Sequence, residues 1–199
     1  MGLPLRFETP DFILRSIVIG DETEEWGAWL ANPKLAAMVN TQPRVRTLAE
    51  LRQYISSFNR RDRHLFGIYP RTAGRLIGIR TIDIDAARRA FSVHMLVGDS
   101  DVWGQGSMDQ TTGPLNNWLY ETCDLIWSEA SVLAINKKMI RYLTGNAWTI
   151  TAKQNAVPAM NGTVVDLVTL RRHRDIWRKD DRSSMVTGIA PPTGLETGA

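Results

Sequence analysis

The segment "MLVGDSDVWGQGSM" ends in Trp103-Gly104-Gln105-Gly106-Ser107-Met108, which sets two glycines and a serine within four positions ahead of a helix-like run. Glycine lets a backbone approach a ligand closely and take left-handed conformations. Successive N–H groups at the start of a helix form a concavity that suits a phosphate. The same residues also make an ordinary strand-to-helix loop, so a cradle and a loop are both open on composition alone. Upstream, Ser92, His94 and Leu96 share one face of a strand-like run. An imidazole exchanges protons near neutrality, which makes His94 the best single candidate for a base, against the alternative of a core histidine. His64, behind "NRRDRH", is a weaker candidate, and His173 in "RRHRD" reads as surface.

Other chemistries find less support. The one cysteine, Cys123, has no disulfide partner, and no Cys or His spacing suits zinc, so no metal is expected. The net charge is +3 and the pI about 9.2, with basic clusters at Asn59–His64, Ala87–Arg89, Asn136–Arg141 and Leu170–Arg182. A nucleic-acid groove calls for a larger excess and interleaved aromatics, so no nucleic-acid partner is expected. No segment approaches the 18 uninterrupted apolar residues of a membrane span, and the start has no long apolar core. A cytoplasmic location without membrane attachment is the expectation. Asn161-Gly162-Thr163 fits a glycosylation pattern but reads better as a turn between strands.

The elements that would position these residues follow from periodicity. Phe12–Ile19 reads as a first strand. A helix is expected to start at Asp21 and Glu24 and to stop at Asn32-Pro33. Thr47 and Glu50 form a capping box before a second helix, whose Leu51, Tyr54, Ile55 and Phe58 share a face. Strands at Leu65–Tyr69, Arg75–Ile84 and Ala90–Gly98 have hairpin-length connections and predict an antiparallel meander. A helix from Asp109 to Trp127, a strand at Ser131–Ile135, a helix after Asn136 and a last strand pair complete the order β-α-α-β-β-β-α-β-α-β-β. The chain divides into an N-terminal extension (1–9), one domain (10–182) and a tail from Ser183 that is expected to be disordered.

That order resembles the GNAT superfamily of N-acetyltransferases, and within it the RimJ/RimL-like branch. The resemblance is carried by "FETPDFILRSI", "HLFGIY...GRLIGI", "VGDSDVWGQG", "VLAINKKMIRYL" and "MNGTVVDLVTLRRHRDIW". It implies an α/β (α+β) fold with a mixed, mostly antiparallel sheet that splays between its fourth and fifth strands. It also implies acetyl-CoA, or another acyl-CoA, as co-substrate and direct transfer of the acyl group to a primary amine of a small molecule, amino sugar or protein N-terminus. The residues Trp103 to Met108 would then wrap the pyrophosphate. Asn136 and the backbone near Leu96 and Val97 would hold the pantetheine arm, with Lys137, Lys138 and Arg141 near the phosphates. Trp26, Trp29 and Tyr54, with the terminal strand pair, would line the acceptor pocket. Members of the family often form homodimers, but no interface is legible here.

Several positions depart from the family pattern. Met108 stands where Gly or Ala is usual, and Gly113-Pro114 should kink or divide the phosphate-binding helix. The usual thiolate-protonating positions, seven and three residues after Asn136, hold Leu143 and Met139. Tyr142, one residue off, is expected to point elsewhere. These departures support a rival from another class: a catalytically degenerate module that binds acyl-CoA or a protein.

Overall fold

The computed structural model describes residues 2–158, 163–179 and 187–189. Two strands lead, β1 (Arg6–Glu8) and β2 (Phe12–Ser16). They are followed by α1 (Glu24–Ala28), a 3-10 turn (Trp29–Ala31), α2 (Pro33–Met38) and α3 (Leu48–Ser56). The meander β3 (Arg63–Pro70), β4 (Gly78–Asp85) and β5 (Ala90–Val97) precedes α4 (Ser107–Asn117). Then come β6 (Trp127–Leu133), α5 (Lys137–Gly145), β7 (Thr149–Pro158), β8 (Val164–His173), α6 (Arg174–Lys179) and β9 (Thr187–Ile189).

The strands form one sheet in the order β7-β8-β6-β5-β4-β3-β2-β1-β9. Its neighbours are antiparallel apart from β5 and β6, which are parallel and pair only at Ala90↔Trp127, Phe91↔Ser128 and Ser92↔Glu129. Beyond Ser92 the two strands diverge, while each keeps its outer partner: β5 pairs with β4 to Val97, and β6 with β8 to Leu133. The expected splay lies between these strands, the fourth and fifth of the sequence reading.

Alternation along the strands sends side chains to two cores. From β4, Ile82 joins a cluster with Phe66, Phe91, Leu115, Leu119 and Tyr120 on the α4 face. Ile79 joins Trp26, Trp29, Leu51 and Ile55 on the face of α1 and α3. Helix α5 covers Ala130, Val132 and Leu170 through Leu143. Ser128, two residues before Ala130, accepts the buried Tyr120 hydroxyl at 2.8 Å, which puts α5 on the same face as α4.

The local signals were obeyed to different degrees. The Thr47–Glu50 capping box is formed in both directions, at 3.2 and 2.8 Å. Helix α1, however, is capped by Thr23 through the Trp26 N–H, because Asp21 is occupied by Arg15 at 2.7 Å and by the Val18 N–H at 2.8 Å. Asn32-Pro33 ends one turn and starts the next: Asn32 caps α2, and Pro33 takes the first helical position, where its missing N–H costs nothing. Helix α4 runs through Gly113-Pro114, which are buried, and widens into a π turn over Trp118–Thr122. Asp124, at φ 50°, then turns the chain, so β6 begins at Trp127, four residues before the strand expected from Ser131.

In the expected N-terminal extension, Arg6–Glu8 form β1. Within the expected disordered tail, 187–189 form β9, paired with β1. The rest of that tail from 190, with 183–186, and the expected turn at 161–162 lie outside the described residues.

Candidate active site

A cleft of about 790 Å³ follows the fork between β5 and β6 and opens on both faces of the sheet. Val93 to Leu96 form one wall and Ala130 to Leu133 the other. On one face lie Met108, Thr112 and Asn116 of α4 with Asn136, Met139 and Tyr142. On the other lie Trp26, Trp29 and Tyr54, with Val157 of β7 and Leu167 of β8.

Register decides which backbone groups face this cleft. The Gly98 N–H donates to the Ile77 carbonyl at 3.0 Å, and Val97 stands opposite Gly78. Bonding direction alternates along an antiparallel strand, so Leu96 and His94 turn their N–H and C=O to β4, and Val93, Met95 and Val97 turn theirs to the fork. Of the two backbone positions singled out from sequence, Val97 therefore faces the cleft and Leu96 is used in the ladder. The Val97 carbonyl accepts the indole N–H of Trp103 at 3.0 Å, which pins the following loop to the end of β5.

That loop reaches α4 through Gly104 and Gly106, both at φ +81°. Nothing lies within 4 Å of a Cβ built on Gly104, and the only neighbour at Gly106 is the end of the Gln110 side chain at 3.7 Å. Both glycines are needed for their conformation and leave open space in front of the helix. The first intrahelical bond runs from the Gln110 N–H to the Gly106 carbonyl, and α4 has no side-chain cap. The N–H groups of Ser107, Met108 and Asp109 are thus without helical partners at a positive dipole end. Gln105 is spent on the loop itself, its side-chain amide donating to the Asp101 carbonyl at 2.9 Å. Ser107 is buried, and Met108 lines the cleft.

Asn136 caps α5, its Oδ1 accepting from the Met139 N–H at 3.1 Å while the residue lines the cleft. Met139 also lines it, and Leu143 is buried beneath. Tyr142 reaches across to α4, where its hydroxyl donates to the Asp109 carboxylate at 2.5 Å. Lys137, Lys138 and Arg141 are exposed on α5 and do not line the cleft.

His94 is exposed to the cleft opposite Thr81, on the same face as Leu96 and Ile79. Its ring has no hydrogen-bond partner among the described residues. His64 is a different case. It is buried against Phe66 and Trp118, its Nε2 lies 3.1 Å from the Arg61 carbonyl, and burial pushes its pKa down. It is outside the cleft and belongs to the core. His173 packs against Trp127 and lies 3.3 Å from Asp175. Burial raises the Cys123 thiol to about 11, so it is no nucleophile at neutral pH.

The aromatic face is well built. Trp26 lies 6.3 Å from Trp29 and 6.4 Å from Tyr54, between ring centroids. Burial raises the Tyr54 hydroxyl to about 12, so it stays protonated. Trp29 packs directly on Gly98, where a Cβ would come within 1.8 Å of its ring.

Arg80 escaped the sequence reading. It projects from β4 under α4, is 2% exposed, and donates through Nη2 to the Met108 carbonyl and the Thr112 hydroxyl, both at 2.8 Å. Its Nε is buried without a partner, and no carboxylate of the described residues is within ion-pair distance. Burial lowers this guanidinium to about 10, opposed by the nearby Tyr142 and Asp109, so it remains charged at neutral pH. The signal was present in "IGIRTIDI", where one cation interrupts an apolar strand. Among the described residues no group of His, Cys, Asp or Glu could hold a metal, and no helix is long and apolar enough to cross a membrane.

Comparison with known proteins places this geometry. The acetyltransferase (GNAT) domain model matches residues 11–146. No curated protein matches the sequence. Among solved structures, the chain is similar to a spermidine N-acetyltransferase from Vibrio cholerae in complex with CoA and spermine. The identity is 14%, covering 84% of this chain and 98% of that one, with a TM-score of 0.72. It is also similar to a ribosomal-protein-S5-alanine acetyltransferase from Vibrio fischeri (17% identity, 86% and 98% covered, TM-score 0.72). A third is RimL, a ribosomal L7/L12 alpha-N-protein acetyltransferase in complex with coenzyme A (15% identity, 84% and 97% covered, TM-score 0.75).

The buried His64 carries a testable pH dependence. Its pKa is lower in the folded chain than the ordinary 6.5, so the unfolded chain binds the extra proton first. The stability that His64 contributes is complete above about 6.5 and falls as pH drops toward the folded value. Chemical denaturation across this range should show a smaller acid loss for His64→Gln than for the parent. Equal losses would contradict the assignment.

Proposed function

Because this chain belongs to the GNAT acetyltransferase family, we propose that it transfers an acetyl group directly from acetyl-CoA to a primary amine, as a member of the RimJ/RimL-like branch. The acceptor class is a small amine, an amino sugar or a protein N-terminus. The observation that carries this reading is the fork itself, a slot through the sheet with free backbone donors on one wall and an uncapped helix start at its mouth. The residues present fit an acyl-CoA. The open space at Gly104 and Gly106 and the N–H groups of Ser107, Met108 and Asp109 suit a pyrophosphate. The N–H groups of Met95 and Val97, with the Asn136 amide, suit the amide-bearing pantetheine arm. CoA is bound in two of the similar structures, and spermine in one of them, which supports the donor and the amine class.

When bound, acyl-CoA supplies a thioester that an amine can attack. A cleft-facing N–H on β5 is placed to polarise the carbonyl, a role that needs no particular side chain. His94 takes the proton that the acceptor amine must lose, from the side where Trp26, Trp29 and Tyr54 line the pocket. Met139 and Leu143 offer no proton to the departing thiolate, which takes one from solvent. The Tyr142 hydroxyl is directed at Asp109, so it ties α5 to α4 rather than serving as that acid. A second reading, acyl-CoA binding without turnover, draws on these same two residues. Binding of acetyl-CoA with no acetylation across a panel of polyamines, amino sugars and N-terminal peptides would favour it.

Gly106→Glu places bulk and negative charge where the pyrophosphate lies, and calorimetry should find no acetyl-CoA binding by the variant while its fold is kept. Unchanged affinity would show that the cradle is wrongly assigned. His94→Ala should lower kcat/KM by about 100-fold, the scale of a lost general base. It should leave acetyl-CoA affinity close to the parent's. Full activity in His94→Ala would exclude the base role.

A further inference from the structure

Acetyl transfer makes no use of Arg80, although this cation on the cleft wall is only 2% exposed. Its position is specific. It stands opposite Met95 in the β4–β5 ladder and points to the α4 face, while its neighbour Thr81 stands opposite His94 on the other face, so the guanidinium lines the cleft from the side opposite the histidine. Only Nη2 is engaged by protein, through the Met108 carbonyl and the Thr112 hydroxyl. That hydroxyl also donates to the Met108 carbonyl at 2.6 Å, so the anchor at α4 is partly met without the arginine. Nε is buried and unpartnered, and the nearby Asp109 carboxylate accepts from Tyr142 and makes no ion pair with the guanidinium. A buried cation that makes no ion pair is retained at a cost in stability unless a ligand supplies the anion. Both Nη2 hydrogens are taken by Met108 and Thr112, so the donor left for a ligand carboxylate on the cleft side is Nη1, which gives a charge-assisted bond. A pyrophosphate is the poorer match, because the N–H groups meant for it face outward from the start of α4, whereas Arg80 lies behind the first turn.

We infer that Arg80 is the binding site for a substrate carboxylate, carried either on the distal end of a dicarboxylic acyl group of the CoA donor or on the amine acceptor. This rests on the acyl-transfer reading of the cleft and adds to it the substrate class. Two arms separate the sources. In the donor arm, calorimetry compares acetyl-CoA with succinyl-CoA. In the acceptor arm, with CoA present, it compares phenethylamine with phenylalanine. The expected result is a preference of about tenfold or more for the carboxylate-bearing member of one pair, the scale of a charge-assisted hydrogen bond. Arg80→Met should bring that pair together. Arg80→Lys, which keeps the charge and loses the planar guanidinium, should give an intermediate ratio; this variant and the parent's own preference keep the test valid if Arg80→Met fails to fold. No preference in either arm, or a preference that survives in Arg80→Met, would overturn the inference alone. Failure of both CoA esters to bind would overturn the acyl-transfer reading and the inference together.

Discussion

Two parallel strands that pair for only three residues and then part are the constraint on which this molecule depends. Unpaired backbone groups buried in a sheet are costly, each comparable to a lost hydrogen bond. The chain limits that cost by keeping both outer ladders intact, from β4 to the end of β5 and from β8 to the end of β6. The closed end of the fork is held by the Tyr120–Ser128 bond and by Glu129, which meets Arg88 at 2.7 Å and Arg171 at 3.0 Å. What is left is a slot along which the backbone groups of Val93 and Met95 turn away from the β4 ladder. Such a slot is preorganised for an extended ligand that brings its own amides.

The two faces of the sheet divide the work. On the side of α4 and α5 are polar groups with fixed directions: a helix start, the Asn136 cap and the Tyr142–Asp109 tie between helices. On the side of α1 and α3 are rings, with Trp29 seated on Gly98 so closely that only glycine fits. Gly98 directly follows β5, so the aromatic wall is built against the same strand that offers the backbone donors. The two faces therefore meet at β5, with His94 on the aromatic side and Arg80 beneath the other.

How much of this was legible in the sequence depended on how local the cause was. The Thr47–Glu50 box and the meander are decided within a few residues, and both were readable. The glycine turn was legible as a turn; its openness required coordinates. Asp21 misled because its partner, Arg15, lies on the preceding strand. The start of β6 was missed because Leu125-Ile126-Trp127 suits a helix end as well as a strand, and the deciding feature is a positive φ at Asp124. Whether Leu96 or Val97 faces the fork is a matter of register, which no single strand can reveal. Arg80 and the Tyr142–Asp109 tie are tertiary facts; only the oddness of an arginine inside an isoleucine-rich strand could have pointed to the first.

The account's central claim, that the fork between β5 and β6 is the seat of acyl-CoA, is tested most directly by residue-resolved amide hydrogen exchange with and without CoA. Leu96, bonded to β4, should exchange slowly in both states. Met95 and Val97 should exchange fast in the free protein and become protected by CoA, together with Ser107 and Met108 at the start of α4. Protection that appears elsewhere, or none at these four amides at saturating CoA, would contradict the account.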